Sequence, residues 1–249
     1  MRASRSRQQP LPFRPRGGAR KGAGRKPTHP GRSRVPHVTR PVTNARYPVH
    51  VTTRMRSDVR RLRRFELCKV LQCAFVYGCR RSASGGEFRI CQFSIQGNRI
   101  HLICEANDAR VLARGIQGWA VRIARGLNRQ LEREGSVFDD RYHVEVITTP
   151  TQTRNALCYV LQNARRHAVR LDPKFGGMDP FSSAWWFDGW KDEAWRIGLG
   201  PPETRCVAEA QSWLLTTGWR RARAGLLEIT EVPAARRQAA ARENTRRSR

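Results

Sequence analysis

Acidic residues are absent from the start of this 249-residue chain. Residues 1–57 carry 15 Lys or Arg and no Asp or Glu. Residues 233–249 add six Arg against the single acid Glu243. The stretch between holds 27 bases and 19 acids, a net of +8 within a formal total of +28. Basic tails on a mildly basic body point to a polyanion partner, most simply nucleic acid. Lys is scarce beside Arg, which suits bidentate phosphate contacts. No C-x-x-C pair occurs among Cys68, Cys73, Cys79, Cys91, Cys104, Cys158 and Cys206, so the usual zinc-site spacing is missing. Most of these cysteines lie in apolar segments and read as buried thiols of a reducing cytoplasm. No apolar run is long enough to span a membrane, and there is no signal-peptide core. Nor is there an internal repeat. Hydrophobic content is 39%, so a folded core is expected.

Four segments follow from these shifts in composition. Residues 1–45 are rich in Arg, Pro and Gly and read as a disordered basic arm. Within it, Gly17-Gly18-Ala19-Arg20-Lys21-Gly22-Ala23-Gly24-Arg25-Lys26-Pro27 is similar to an AT-hook-like minor-groove binder that would seat Arg25, with a non-specific phosphate-binding tail as an alternative of at least equal weight. Residues 46–169 form the main domain, 170–232 a Trp-rich extension, and 233–249 a disordered basic tail.

In the main domain, alternation from Tyr47 to Arg56 predicts a first strand. Asp58 is a candidate cap for a helix through Val59, Leu62, Leu67, Leu71 and Phe75. Phe88–Gln96 and Arg99–Ala106 predict two strands joined at Gly97-Asn98. Asn107 or Asp108 caps a long helix to about Glu134, with Leu112, Ile116, Trp119, Ile123 and Leu127 on one face. The other face carries Arg110, Arg114, Arg122, Arg125 and Arg129. Val137–Ile147 predicts a fourth strand, and Pro150 or Thr151 opens a helix to about Ala168. The order βαββαβ and then a helix predicts an α+β fold. It is a ferredoxin-like antiparallel sheet with helices packed on one face, plus a C-terminal tyrosine helix and the basic tails. The first and third strands would be central neighbours, bringing His50 close to His101.

The third strand carries the most informative pattern. Ile100, Leu102 and Cys104 share one face. Arg99, His101, Ile103 and Glu105 share the other. Charged and imidazole groups along one face of a central strand are costly unless they have partners or a task there. The strand resembles the metal-binding strand of HUH single-strand DNA nucleases, whose motif is His, a bulky apolar residue, His. The nearest likeness is to single-tyrosine transposases associated with repeated palindromic elements. His101 matches the second His, and Arg99 stands at the first. The segment Gly135-Ser136-Val137-Phe138…Arg141-Tyr142 and the helix Asn155–His167 also resemble that family.

The resemblance implies roles. Tyr159 would be the nucleophile, and Asn163, four residues on, a metal ligand with His101. His50 and Glu105 are further ligand candidates for Mg²⁺ or Mn²⁺. Arg25, Arg110, Arg114, Arg122, Arg141, Arg165 and Arg166 would hold single-stranded or hairpin DNA. The chain would then be a cytoplasmic, nucleoid-associated DNA transposase-type enzyme, with room for a homodimer. Arg99 opens two outcomes, because a guanidinium cannot ligate a cation and repels it. Either nicking is lost and a hairpin-DNA-binding protein remains, or weak metal-dependent activity survives. An RNA-binding ferredoxin-like module ranks lower, because the strands offer few aromatics beyond Phe88 and Tyr142. Two uses stay open for Trp185, Trp186, Trp190, Trp195, Trp213 and Trp219: core packing, favoured about two to one, and stacking on unpaired bases.

Overall fold

In the computed structural model the described residues are 41–59, 61–83, 86–168, 178–192 and 204–233, with the side chains of 80–83 and 166–168 left aside. The arm at 1–40, with Arg25, lies outside them, as do Trp195, the tail beyond Pro233 and the side chain of Arg166. Nine main elements occur among the described residues. They are β1 (Val49–Arg54), α1 (Phe65–Ala83), β2 (Phe88–Ile95), β3 (Arg99–Ala106), α2 (Ala109–Gln130), β4 (His143–Val146), α3 (Pro150–Leu161), α4 (Asn163–Ala168) and α5 (Trp213–Thr216). All strand pairs are antiparallel, in the order β2-β3-β1-β4. That is the ferredoxin-like order, with β1 and β3 at the centre.

Strand alternation sorts side chains to two faces. Val49, Val51, Phe93, Ile100, Leu102 and Cys104 meet α1 and α2, whose Leu71, Phe75, Ile116, Trp119 and Ile123 complete the main core. Phe75 stacks on Phe93 with ring centroids 4.0 Å apart. The opposite face contributes Cys91 and Ile103 to a second cluster with Leu157, Val160 and Leu161 of α3 and with Phe187, Trp190, Leu215 and Trp219 of the extension. The two expected helices therefore cover one face, and the tyrosine helix covers the other. A register shift between Ile90 and Gln92 makes Cys91 the extra residue of a bulge.

α2 ends at Gln130 rather than near Glu134, and three other boundaries differ from the sequence expectation, each for a local reason. α1 begins at Phe65 rather than near Asp58. Arg61 takes a left-handed φ of 70°, and the Arg61 and Leu62 N–H groups donate to the Gly97 carbonyl, tying this segment to the β2–β3 turn. Asp58 pairs with Arg56 and Arg133 instead of capping. The strand expected over 137–147 is split. Phe138 bridges Met55, the chain leaves the ladder at Asp140–Tyr142, and β4 proper is His143–Val146. The helix expected to run to Ala168 breaks at Gln162, whose Nε2 donates to the Glu228 carbonyl at 2.6 Å.

The extension covers β2's outer edge. Ile95 N–H donates to Phe181 O, and Ser183 N–H to Phe93 O. Ala208 N–H donates to Ile90 O. An open strand edge is thereby paired. No helix among the described residues is long and apolar enough to cross a membrane.

Two glycines of α2 predict opposite outcomes. A Cβ at Gly115 would sit 2.2 Å from the Phe88 ring, whereas Gly118 faces open space. Gly118→Ala should stabilise by about 0.5–1 kcal/mol, since alanine is the better helix former. Gly115→Ala should destabilise by about 1–3 kcal/mol through overpacking. Urea denaturation of the two variants checks the sign of each.

Candidate functional site

The second sheet face is polar because of the register of β1 against β3. Thr52 lies opposite His101, and Arg54 opposite Arg99. His50 lies between Ile103 on one side and Glu145 on the other. Thr52 also faces His143, and Ser94 of β2 faces His101. Directly opposed residues share a face, so one row reads His143, Thr52, His101, Ser94 across the four strands. Over this face lies α3. Its start is fixed by a capping box between Thr149 and Gln152, with Pro150 at the first helical position.

α3 brings Tyr159 onto the two imidazoles. The Tyr159 ring lies edge-on to His101 at 5.2 Å and to His50 at 5.8 Å, centroid to centroid. The imidazoles are 5.5 Å apart. Both histidines are buried, and Tyr159 is half-buried. The Thr52 hydroxyl and His101 Nδ1 are hydrogen-bonded at 3.2 Å. That bond orients the ring and leaves Nε2 for its other partner. The arrangement can relay a phenol proton to an imidazole, and it can present two imidazole nitrogens to one ion.

The remaining candidates are distributed unevenly. Asn163 follows the break at Gln162 and is 2% exposed, with its Oδ1 buried and lacking a hydrogen-bond partner among the described residues. Glu105 is 2% exposed and committed elsewhere. It pairs with Arg89 at 3.0 Å and accepts the Gln211 and Ser212 backbone N–H groups at 2.9 and 2.8 Å. Arg99 is exposed at the start of β3, on the same face as His101. Its cross-strand neighbour Arg54 pairs with Asp139 at 3.4 Å. Arg141 is half-buried just before β4. Arg165 is buried beside Gln162 and Asp179, and desolvation lowers its pKa. Arg110, Arg114 and Arg122 lie on α2, on the sheet face opposite Tyr159.

Sequence reasoning missed the groups that fix the extension against this site. Arg63 forms a fork on Asp179 at 2.7 and 2.9 Å and also donates to the Ile95 carbonyl. Arg154, on α3 itself, forks onto Glu231 at 2.8 Å and donates to the carbonyls of Ala224, Gly225 and Leu226. These partners are separated by 116 and 77 residues, so no local pattern announces them. The only signal was an arginine within the apolar stretch of a helix. Trp190 and Trp219 are packed inside the extension, whereas Trp213 is half-exposed.

No protein-family model matches the chain, and no curated protein matches it either. Two solved structures are similar in course. One is a REP-associated tyrosine transposase bound to a REP hairpin, at 14% identity and TM-score 0.45, covering 60% of this chain and 82% of that one. The other is a protein of Deinococcus radiodurans R1 described provisionally as a transposase, at 11% identity and TM-score 0.32, covering 51% of this chain and 89% of that one.

The Arg154 fork sets a pH dependence. Its hydrogen bonds lower the Glu231 pKa below the ordinary 4.5. A carboxyl whose folded pKa is depressed contributes stability that is fully present above its unfolded pKa and lost as pH falls through the folded value. Glu231→Gln should therefore be less stable than wild type at neutral pH, and the two should converge as the medium is acidified below 4.5. Urea midpoints across that range measure it, and a gap independent of pH would contradict the assignment.

Proposed function

We propose that this chain is a DNA strand-transfer protein of the single-tyrosine HUH transposase type. It binds hairpin single-stranded DNA and nicks and rejoins it through a 5′-phosphotyrosine intermediate. The observation that carries the reading is Tyr159 over His101 and His50, at ring distances of 5.2 and 5.8 Å. The sequence motifs and the strongly basic charge support DNA as the substrate.

In the proposed reaction Tyr159 Oη attacks the scissile phosphorus. The Oη–P bond forms, the P–O3′ bond breaks, and the departing 3′-oxygen takes up a proton. Without an ion, His101, oriented by Thr52, accepts the phenol proton; with an ion held on its Nε2 the proton would pass to water instead. Attack by a 3′-hydroxyl on the phosphotyrosine reverses the step and joins strands. Arg99, exposed beside His101 on the sheet face, neutralises phosphate charge.

The donor set fits a divalent ion once His50 takes the place that Arg99 cannot fill. Imidazole nitrogens bind zinc at about 2.0–2.1 Å, and on that scale two rings 5.5 Å apart lie within reach of one ion. The buried Asn163 Oδ1, which has no hydrogen-bond partner among the described residues, supplies an oxygen of the kind Mg²⁺ or Mn²⁺ prefers. Bound at His50, His101 and Asn163, such an ion would polarise the phosphate. Glu105 is assigned to structure instead, because Arg89 and two backbone N–H groups already occupy it.

Arg99 favours one second reading, a hairpin-DNA-binding protein without cleavage, because a cation stands where the motif places a ligand. Incubation of the full chain with a radiolabelled hairpin oligonucleotide and Mn²⁺, followed by denaturing electrophoresis, separates the two. The proposal expects a covalent adduct that Tyr159→Phe abolishes while binding persists. Arg99→His should then change its yield by no more than a few fold. The absence of any wild-type adduct, with a strong one in Arg99→His, would establish the binding-only reading.

A further inference from the structure

The outer side of α1 and α2, on the sheet face away from Tyr159, holds an open groove. It has a volume of about 750 Å³ and is floored by Phe88, Ile90 and Trp119. It runs on into a second hollow of about 510 Å³ through the shared residues Ala74, Tyr77 and Arg122. Arg114, Arg122 and Arg129 line the two, and Glu87 is the one acid among the lining residues.

α2 carries an unfavourable charge pattern for a helix. Its 22 residues include five arginines and no acid. Arg110 and Arg114, and Arg125 and Arg129, are spaced four apart, where like charges repel. Arg110 also sits in the first turn, which prefers acids. Such a helix is stabilised by bound anions. A point anion would leave the apolar floor unused, so the complementary ligand combines spaced negative charge with flat apolar groups.

The groove also has a stacking platform. The Arg122 guanidinium carbon lies 3.4 Å from the Tyr77 ring centroid, the separation of two stacked planes. Tyr77 is 45% exposed. Guanidinium planes and aromatic faces are the surfaces on which unpaired bases stack. Gly118 leaves the groove beside them unfilled.

We infer that the α1–α2 groove is a second nucleic-acid site, which takes a single-stranded segment. Its phosphates lie along Arg114 and Arg129, and a base stacks on the Arg122–Tyr77 platform. Because α2 and α3 cover opposite sheet faces, a strand in this groove leaves the Tyr159 face open, so one chain holds two DNA segments. The inference rests on the nucleic-acid half of the preceding reading and not on strand cleavage.

The test uses the full chain and an oligothymidylate with one 5-iodouracil per molecule. Irradiation followed by peptide mapping should place a photoadduct on the segment containing Tyr77. Replacing Arg114, Arg122 and Arg129 by Gln should lower the slope of log affinity against log salt by about 1.4, at about 0.7 for each of the two phosphate contacts on a single strand. Gly118→Leu adds bulk without changing charge at a position with open space around it. It should fold normally by circular dichroism and weaken oligothymidylate binding about five-fold, the scale of one lost base stack. Covalent adduct formation at Tyr159, if cleavage occurs, should be unaffected by Gly118→Leu at saturating hairpin. Photoadducts confined to the basic arm or to the Tyr159 helix would overturn the groove assignment. So would unchanged affinity and salt slope in both variants. A Tyr77 adduct without any phosphotyrosine adduct would keep the groove and remove the cleavage reading alone.

Discussion

The pairing of β1 with β3 is the constraint on which the site depends. Val49 and Val51 face the helical core with Ile100, Leu102 and Cys104, and this apolar set fixes the register. A slip of one residue would turn every side chain of a strand to the other face. His101 and His50 would then enter the apolar layer under α1 and α2, where imidazoles without hydrogen-bond partners are costly. Burial of the first face thus specifies the polar content of the second. Polar and imidazole groups come to share one surface because aliphatic groups fill the other.

The second face is closed by α3, and α3 is held from both sides. Toward the sheet, Leu157, Val160 and Leu161 pack with Ile103 and Cys91. Away from it, Arg154 is gripped by Glu231 and three carbonyls of the extension. The Arg63–Asp179 fork, and the Gln211 and Ser212 N–H groups that donate to Glu105 of β3, fix other parts of the same extension. Buried ion pairs of this kind add little net stability, but losing one partner strands a charge in a dry site. Their clearer effect is positional, since each fork admits one geometry. Tyr159 is therefore placed by contacts far from it in the chain. Burial raises the pKa of Cys91 and Cys104 well above that of an ordinary thiol, and that of Cys158 to about 12. These thiols stay protonated and act as packing groups around the site.

Alternation made the strands legible. β3 has the expected bounds, Arg99–Ala106, because its residues keep a period of two, interrupted only by Ile103 on the otherwise polar face. α2 was legible at its start, where Asp108 accepts the Val111 N–H, and along its buried face from Leu112 to Leu127. The βαββαβ order then implied that His50 and His101 would be neighbours. Events set by tertiary contacts were not legible. The break at Gln162 depends on the Glu228 carbonyl, and the late start of α1 depends on Gly97. Glu105 looked like a site residue because it shares a strand face with His101, and only its backbone partners at 211 and 212 reveal a structural anchor. The Tyr77–Arg122 stack joins two helices whose facing could not be read from either alone.

The central claim is that one tyrosine and two histidines from three separate elements form a single site. Proton NMR of the imidazole Hε1 resonances in wild type and Tyr159→Leu tests it directly. Ring contacts at 5.2 and 5.8 Å place both histidines in the field of the tyrosine ring current. The account predicts that the His50 and His101 resonances both shift on substitution, while His143, exposed at the sheet edge, stays in place. Unchanged signals from His50 and His101 would contradict it.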